Sequence, residues 1–231
     1  MRASAIIVAA GTGVRLGHSE PKAFVQLGTV PLLYYSLRTL RALSAIGEII
    51  VAIPHGKEAD ARSAAQRAGV DVPLKLVTGG AERQDSVRLA LSMVSAESVV
   101  ILVHDAARPF AAARLFTDCI AAAVRSGGAI AAIPVADTLK EAQHNIVIAT
   151  RARDGLVAAQ TPQAFRRELL IAAHAAGSTR ATDDAFLVEQ LGAPIEIVAG
   201  STLNFKITTP DDLRLARALI ASDSLLSRQF D

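Results

Sequence analysis

The N-terminal stretch runs from an apolar strand directly into a loop of small residues, and this junction constrains the fold most. Ile6–Val8 is apolar and β-branched, which predicts a buried strand. Ala9–Gly13 consists of small residues, so its backbone N–H groups can lie directly against a ligand. Arg15 and Lys22 follow closely. The stretch suits a polyanionic phosphate; an ordinary βα turn with a solvated Arg and Lys is the alternative that it leaves open.

Spacing excludes two familiar phosphate-binding loops. A Walker loop requires Lys directly after its last glycine, whereas His18 follows Gly17 here. The dinucleotide fingerprint requires a third glycine three residues after the second, and Gly13 and Gly17 are four apart. That fingerprint also needs an acidic residue at the end of the next strand, but Ile49–Ile53 ends at Pro54. The glycine pattern therefore argues against a dehydrogenase.

The composition indicates one folded α/β domain. With 231 residues, we expect residues 1–231 to form a single domain with an insertion at about residues 136–160. Hydrophobic residues make up 51% and charged residues 20%, which argues against disorder. Aromatic residues make up 4% and Trp is absent, so a base-stacking surface is not expected. The net charge of +2 is too small to imply a nucleic-acid partner.

The sequence also gives expectations about location and redox chemistry. Its first residues lead straight into a strand, so no signal peptide is expected. No apolar run approaches the roughly 20 residues that a membrane helix needs. The single cysteine, Cys119, lies in a helical apolar pattern and is interpreted as a small buried hydrophobe. We expect a cytoplasmic protein with no membrane partner.

Strand and helix patterns alternate through the rest of the chain. This alternation predicts a Rossmann-like α/β fold with a mostly parallel sheet and helices on both faces. The further strands expected are Ile49–Ile53, Leu74–Val77, Val99–Val103, Ala129–Val135 and Ile195–Val198. The helices expected are a segment from Pro31, Lys57–Ala68, Asp85–Val94, Ala111–Arg125, Arg166–Ala176, Asp183–Leu191 and a last one from Pro210. Ligands collect at the carboxyl ends of such strands. The loops there are Ala9–Lys22, Gly79–Ser86 and His104–Pro109.

Residues 136–160 interrupt the alternation of strand and helix patterns, and we interpret them as a protruding β-arm. The polar turn Gln143–Asn145 joins two strand-like runs, which indicates a long hairpin. The hairpin has too few apolar positions to form its own core, so we expect it to pack on a second subunit in a homodimer. A mobile surface hairpin is the alternative.

Two further residues are candidates for chemistry. Asp105 ends an apolar strand beside the small-residue loop, where a carboxylate can hold Mg²⁺ together with substrate phosphates. A plain salt bridge between Asp105 and Arg108 is the alternative. Lys206 is expected on a short strand before the last helix, facing either the cleft or solvent. Without a nucleophile motif, this inventory matches phosphoryl or nucleotidyl transfer by positioning and charge neutralisation.

Seven motifs in order carry a resemblance that spans essentially the whole chain. They are Ala9–Arg15, Pro21–Lys22, Gly79–Ser86, His104–Pro109, Thr161–Gln163, Thr182–Asp183 and Phe205–Thr208. The chain resembles the 2-C-methyl-D-erythritol 4-phosphate cytidylyltransferase family of the non-mevalonate isoprenoid pathway. The resemblance implies transfer of CMP from CTP to the polyol phosphate with release of pyrophosphate, with Mg²⁺ as cofactor.

The resemblance also assigns roles to residues of this sequence. Positions that match the catalytic residues of the family are Arg15, Lys22, Arg153 and Lys206. Positions that match its nucleotide-binding residues are Ala9, Ala10, Gly11, Gly13, Gly80, Ser86, Asp105 and Ala106, with Asp105 also holding the metal. Positions that match its substrate-binding residues are Arg108, Thr138, Arg153, Thr182 and Lys206. Arg153 would come from the arm of the neighbouring subunit; Arg151 competes for that role, but the distance to Thr161 and Pro162 favours Arg153.

Two other functions stay open on the sequence. Ribitol 5-phosphate cytidylyltransferase shares nearly every motif, although Ala9, Ala106 and Ala107 favour the methylerythritol enzyme. A non-catalytic module that binds nucleotide sugars can use the same fold. Such a module predicts loss of the loop cations, and Arg15, Lys22 and Lys206 are all present.

Overall fold

A computed structural model describes residues 2–17, 20–176 and 180–222, apart from the side chain of Arg15. The strands are β1 (Ala3–Val8), β2 (Gln26–Leu27), β3 (Val30–Pro31), β4 (Ile46–Ile53), β5 (Leu74–Thr78), β6 (Val100–Asp105), β7 (Gly128–Pro134), β8 (Leu139–Gln143), β9 (Ile146–Arg151), β10 (Val157–Arg166) and β11 (Ile195–Ala199). The α-helices are α1 (Leu32–Arg41), α2 (Glu58–Ala68), α3 (Arg83–Leu91), α4 (Ala113–Ser126), α5 (Arg167–Ala176), α6 (Asp184–Glu189) and α7 (Pro210–Ala221). None of the described helices is long and apolar enough to cross a membrane.

Seven strands form the central sheet in the order β11-β7-β10-β6-β1-β4-β5. All neighbouring pairs are parallel except those of β10, which runs antiparallel to β6 and β7. The mostly parallel sheet is therefore confirmed. In the register, Val8 at the end of β1 lies between Ala52 of β4 and Asp105 of β6. The carboxyl ends of these three strands consequently meet at one edge.

Strand β10 was not expected from the sequence, because the predicted arm ended at residue 160 and the next predicted element was a helix from Arg166. Residues from Gln160 to Phe165 are buried inside the sheet, and the polar Gln160, Thr161 and Gln163 conceal the strand pattern. A proline is unusual in a central strand because it cannot donate to the ladder. Here the pairing of β10 with β7 shifts register between Ala159 and Gln163, and Pro162 falls within that irregularity.

The two faces of the sheet carry separate apolar cores. Side chains alternate along a strand, so Ala5 and Ile7 of β1 face one core and Ile6 faces the other. Helices α1, α2 and α4 cover the first face, and α3, α5 and α6 cover the second. Helices on both faces are confirmed. Cys119 in α4 is fully buried, and burial raises the pKa of its thiol to about 12, as expected of a buried apolar residue.

A third, smaller cluster ties the C-terminal helix to the N-terminal loop. Leu16, the hairpin of β2 and β3, and α7 pack together around Ile207. This hairpin was not expected from the sequence, because its strands have only two residues each. The start of α7 is as expected: Pro210 is the first helical residue and Thr209 is the cap, whose Oγ1 accepts a hydrogen bond from the Asp212 amide at 3.2 Å.

The arm forms a separate two-stranded sheet, β8 and β9, outside the central one. His144 and Asn145 have φ values of 48° and 66° at its turn, which matches the polar turn expected from the sequence. Apolar side chains of the arm face outward, with Ile146 67% exposed and Ile148 55% exposed. The hairpin is confirmed in this chain.

Removing a core side chain of β10 tests whether this unpredicted strand stabilises the sheet. Phe165 is fully buried and packs against Gly128 of β7, where an added Cβ would lie 2.9 Å from the Phe165 ring. We expect Phe165→Ala to lower the free energy of unfolding by about 3–5 kcal/mol, measured by urea denaturation. Leu215→Ala, at a side chain 52% exposed, is the control and should change it by about 0.5 kcal/mol or less. Equal losses in the two variants would contradict this role of β10.

Candidate functional site

A cleft of about 490 Å³ opens at the carboxyl ends of β1 and β6. Its walls come from the loop after β1, the loop between β5 and α3, the end of β6 and the segment before α7. The lining residues are Val8, Ala9, Ala10, Gly11, Thr12, Gly13, Val14, Lys22, Ala23, Gly80, Ala81, Glu82, Arg83, Ser86, Asp105, Ala106, Ala107 and Lys206. Most of the residues that the sequence analysis assigned to nucleotide binding or catalysis are therefore brought together.

Backbone geometry folds the loop after β1 into a lip over this cleft. Gly13 and Gly17 adopt left-handed conformations, with φ of 74° and 71°, at the two ends of a short 3₁₀ turn. The amide of Lys22 donates to the carbonyl of Gly11 at 3.2 Å, which brings the chain back against the lip. A Cβ at Gly13 would lie 3.1 Å from the backbone nitrogen of Lys22, so glycine permits this close approach. Lys22 thereby lines the cleft, whereas the side chain of Arg15 lies outside the described part of the chain.

The loop before α3 packs closely against the lip. A Cβ at Gly79 would lie 2.3 Å from the Cβ of Ala10, and one at Gly80 would lie 2.3 Å from the Cβ of Asp85. Neither position has room for a side chain. The amide of Gly80 donates to Oγ of Ser86 at 3.1 Å, which fixes that buried hydroxyl at the cleft wall. The two small-residue loops thus form one continuous surface lined with backbone.

Asp105 is buried at the end of β6 between two cations. Its Oδ1 accepts from Nε of Arg83 at 3.1 Å, and its Oδ2 accepts from Nζ of Lys206 at 2.7 Å. Burial on its own raises the pKa of Asp105, but the charges of Arg83 and Lys206 lower it more, so the pKa lies well below its usual value. The alternative salt bridge with Arg108 is wrong, because the guanidinium of Arg108 donates to the carbonyl of Asn204 at 2.7 Å instead.

Lys206 lies in an irregular segment, residues 201–209, and the expectation of a short strand there is wrong. Side chains hold this segment in place of a strand ladder. Nδ2 of Asn204 donates to the Thr161 carbonyl at 2.9 Å and to Oε1 of Gln160 at 3.0 Å. Together with the bond from Arg108, these bonds direct Lys206 into the cleft. Of the two directions that the sequence allowed, Lys206 therefore faces the cleft and not solvent.

His104 and Thr161 fix the backbone at the end of β6. The amide of Asp105 donates to Oγ1 of Thr161 at 3.0 Å. The carbonyl of Arg108 can only accept, so Nε2 of His104 donates to it at 3.2 Å, and Nδ1 of the neutral ring accepts from the Thr161 hydroxyl at 3.1 Å. Burial lowers the pKa of His104 to about 4, so this ring is neutral near pH 7. His104 therefore supports the Asp105 loop through hydrogen bonds.

Sequence reasoning did not single out Arg83, although it lies within the quoted motif Gly79–Ser86. Its guanidinium joins two carboxylates, because Nη1 donates to Oδ2 of Asp184 at 2.7 Å while Nε donates to Asp105. Asp184 also accepts from Nε2 of His174 at 3.0 Å.

 

Counted along the sequence from Arg83, His174 is 91 positions and Asp184 101 positions away, and the fold alone brings them together. A third guanidinium nitrogen of Arg83, Nη2, is buried without a hydrogen-bond partner among the described residues. Arg83 also lines the cleft, so this cation belongs to the site.

The remaining residues assigned to the substrate do not line the cleft. Arg153 and Thr138 are exposed and flank the arm, and the guanidinium of Arg153 donates to the carbonyl of Ala136. Thr182 is exposed just before α6, next to Ala181, whose amide donates to Oε1 of Gln84 at 2.9 Å. The structure thus separates these three residues and Arg108 from the cleft-lining set within one chain.

Mg²⁺ can be tested against the donors that are present. Among the described residues, no group of three or more His, Cys, Asp or Glu side chains could hold a metal ion. Asp105 and Glu82 are the carboxylates among the lining residues, and Mg²⁺ is commonly bound by one or two carboxylates together with substrate phosphates. The donor set therefore fits a magnesium ion that arrives with a nucleotide.

Known proteins match this chain over nearly its whole length. A family model described as IspD, 2-C-methyl-D-erythritol 4-phosphate cytidylyltransferase, matches residues 3–222. A Frankia casuarinae protein with that enzyme name is 46% identical over 223 residues, covering 95% of this chain and 82% of the relative. A Bacillus velezensis protein of the same name is 41% identical and covers 95% of this chain and 96% of the relative. The crystal structure of the Thermus thermophilus protein of that name has a TM-score of 0.80 and 38% identity, covering 96% of this chain and 100% of that one.

The ionised Asp105 carboxylate should make the free energy of unfolding depend on pH. Because its folded-state pKa lies below the unfolded value of about 3.9, its ion pairs stabilise the fold above that value, and this contribution is lost as the pH falls toward the folded pKa. We expect Asp105→Asn to show a smaller fall in the free energy of unfolding between about pH 5 and about pH 3. Urea denaturation in EDTA across this range measures the difference.

The control is Asp118→Asn, which removes an exposed carboxylate that pairs with Arg114 at 3.4 Å. Exposed pairs contribute little, so this variant should follow the parent curve. Parallel curves for the parent and Asp105→Asn would contradict the stabilising role of the Asp105 charge.

Proposed function

The chain belongs to the 2-C-methyl-D-erythritol 4-phosphate cytidylyltransferase family, so it transfers CMP from CTP to 2-C-methyl-D-erythritol 4-phosphate, and we propose that the cleft is where these substrates react. The match over residues 3–222 carries the activity. Convergence of Lys22, Arg83 and Lys206 on a cleft lined with backbone supports the location, because both substrates are anions.

The reaction needs charge stabilisation more than covalent chemistry. A phosphate oxygen of the acceptor attacks the α-phosphorus of CTP, the bond from that phosphorus to the bridging oxygen breaks, and pyrophosphate leaves. Negative charge grows on the α-phosphate oxygens and on the leaving group. We assign its stabilisation to Lys22 and Arg15; the position of Lys22 at the cleft wall supports this role.

The two small-residue loops are proposed to hold the nucleotide. Backbone groups suit this task, since a Cβ at Gly11 would meet no atom within 4 Å and this side of the lip is open. Ser86 and the fixed amides near it could favour cytosine over uracil by pairing with the amino group of the base. The full set proposed for the nucleotide is Ala9, Ala10, Gly11, Gly13, Gly80, Ser86, Asp105 and Ala106.

We propose Mg²⁺ as the cofactor, held by Asp105 and the phosphates of CTP. When bound, the ion would neutralise phosphate charge and orient the triphosphate. Asp105 is charged near pH 7 because its pKa is lowered by Arg83 and Lys206 despite its burial. The protein therefore supplies a ligand at the cleft that is ionised near pH 7.

The acceptor side of the site is proposed to include a second subunit. Lys206 faces the cleft, but Arg153 and Thr138 lie by the arm and do not line it. An arm from a neighbouring chain would bring Arg153 to the acceptor phosphate, while Arg108, Thr182 and Lys206 come from the first chain. The exposed apolar side chains of this region support its burial in a homodimer; they are Ile146, Val147, Ile148, Leu156 and Val157.

The two alternatives, a ribitol 5-phosphate cytidylyltransferase and a non-catalytic module that binds nucleotide sugars, have less support. Relatives named for the methylerythritol enzyme favour that acceptor over ribitol 5-phosphate. A non-catalytic module has no need for three cleft cations and a charged carboxylate. We propose that the enzyme works in the cytoplasm, where CTP is available, with neither a membrane nor a nucleic acid as partner.

A pyrophosphate-release screen tests the proposed function. Four nucleoside triphosphates are each combined with Mg²⁺ and with methylerythritol phosphate, ribitol 5-phosphate or no acceptor. We expect release only with CTP and methylerythritol phosphate. Faster release with ribitol 5-phosphate would support the first alternative, and nucleotide binding without any release would support the second.

Lys22→Ala should reduce kcat far more than it changes the KM for CTP. The Lys22 charge matters most as the transition state forms, so we expect kcat to fall by about 10²–10³-fold. Steady-state kinetics of pyrophosphate release measure both constants. Lys57→Ala is the matched control, because this surface lysine pairs with Glu20 and Asp60. An unchanged kcat with a raised KM would argue against the role of Lys22.

Mixing two inactive variants tests whether subunits share a site. Arg153→Ala lacks the arm cation and Lys22→Ala lacks the lip cation, so a mixed dimer contains one complete site. We expect random mixing to restore about a quarter of the parent activity in a twofold dimer. Pyrophosphate release after co-refolding measures the recovery.

Arg151→Ala is the control for the arm, because Arg151 pairs with Glu141 across the hairpin. Alone, this variant should retain activity, whereas Arg153→Ala should impair use of the polyol phosphate more than use of CTP. Absence of recovery in mixtures whose mixed dimers are demonstrated by native mass spectrometry would rule out a shared site.

A further inference from the structure

A chain of hydrogen-bonded side chains runs from the cleft into the protein. Its members are Asp105, Arg83, Asp184 and His174. The Arg83 guanidinium donates to Asp105 at 3.1 Å and to Asp184 at 2.7 Å, and Nε2 of His174 meets the other Asp184 oxygen at 3.0 Å. Asp105 and Arg83 line the cleft, whereas Asp184 is 1% exposed and does not. Asp184 is therefore linked to the cleft through Arg83.

The Asp184 carboxylate is held rigidly. Its residue begins α6, and the amides of Asp184 and Ala185 both donate to Oε1 of Gln163 at 3.2 Å. Gln163 belongs to β10, and its Nε2 donates to Asp183 at 2.8 Å. Burial raises the pKa of Asp184, but the charge of Arg83 and the bond from His174 lower it more, so this carboxyl is ionised near pH 7.

Formal charges show what Asp184 contributes. Arg83 and Lys206 supply two positive charges around the single negative charge of Asp105. Those three groups would carry a net positive charge, which repels a divalent cation. Asp184 pairs with Arg83 and brings the group to neutrality. The Asp105 carboxylate then faces the cleft without an excess of positive charge behind it.

We propose that Asp184 is a positioning residue that neutralises Arg83 and so keeps Asp105 able to bind a divalent cation with the nucleotide. The inference rests on the proposed function, in which Asp105 holds Mg²⁺. It deepens that function by assigning control of the metal requirement to a residue that touches neither substrate nor metal.

Asp184→Asn tests this proposal with two effects of opposite sign. The variant restores one positive charge near the cleft, so it should weaken binding of a cation and strengthen binding of a bare polyanion. We expect the Mg²⁺ concentration for half-maximal turnover to rise by about tenfold, and the Kd for CTP in EDTA to fall by about threefold or more. Pyrophosphate release and isothermal titration calorimetry measure the two quantities.

The substitution is nearly isosteric, and the surrounding groups can accept it. The Asn oxygen can accept from Arg83, while the Asn amide donates to Nε2 of His174. Nδ1 of His174 is buried without a partner among the described residues, so it can carry the ring proton in that arrangement. A general loss of structure would instead weaken both Mg²⁺ use and CTP binding.

Glu196→Gln is the matched control, because Glu196 accepts from Arg125 at 2.7 Å on the surface. It should leave both quantities at the parent values. The double variant Arg83→Gln/Asp184→Asn removes one charge of each sign and should return the Mg²⁺ requirement to within about threefold of the parent, even though kcat falls. This variant also serves if Asp184→Asn does not fold.

The outcomes separate the inference from the function on which it rests. No CTP-dependent pyrophosphate release by the parent protein would overturn the proposed function. An active parent with Asp184→Asn weakened equally toward Mg²⁺ and metal-free CTP, or unchanged toward both, would overturn the inference alone. A raised requirement in the double variant equal to that of the single one would do the same.

Discussion

The site depends on one buried carboxylate whose charge is held by two cations. Asp105 stands at the end of β6, next to β1 in the centre of the sheet, so its backbone is fixed by the strand ladder. Its side chain meets Arg83 from α3 and Lys206 from the segment before α7. An isolated buried carboxylate is costly and tends to become protonated. Pairing therefore both keeps Asp105 ionised and joins three distant parts of the chain at one point.

Much of the fold could be predicted because its signals are local. Apolar β-branched runs predict β1 and β4, and the Thr209 cap with Pro210 predicts the start of α7. Strand β10 has no such signal, since Gln160 to Gln163 are polar or proline. Gln160 and Gln163 are buried because their side chains bond to the 201–209 segment and to the start of α6. Long-range hydrogen bonding, which the sequence pattern does not encode, turns a polar run into a central strand.

The candidate site likewise contains residues that local sequence predicts and residues whose partners only the fold brings together. Ala9–Gly13 directly follow β1 and Asp105 ends β6, so their common edge follows from the rule for parallel sheets. Arg83 could not be distinguished from a solvated helix-start arginine, because its partner Asp184 is 101 positions away. Whether Lys206 faces the cleft or solvent could not be predicted for a similar reason. Its direction depends on the hydrogen bonds that Asn204 makes to Gln160 and Thr161. Sequence thus indicates which residues reach the edge, whereas packing determines which charges face each other there.

Pairing among the charges of the cleft has a consequence for substrate binding. Partly buried cations are more stable when they are paired, and Arg83 and Lys206 bond to carboxylates of the protein itself. The two cations are not held equally firmly. Arg83 bridges two carboxylates and its side chain is 21% exposed. Lys206 reaches Asp105 on a flexible side chain that is 37% exposed. An incoming phosphate can therefore draw Lys206 away from Asp105 more readily than it can draw Arg83. Since Asp105 then retains Arg83, the carboxylate keeps its orientation while one of its oxygens becomes accessible. Under the proposed function, a single exchange of partners would prepare both a cation for the anionic substrates and a ligand for a metal ion.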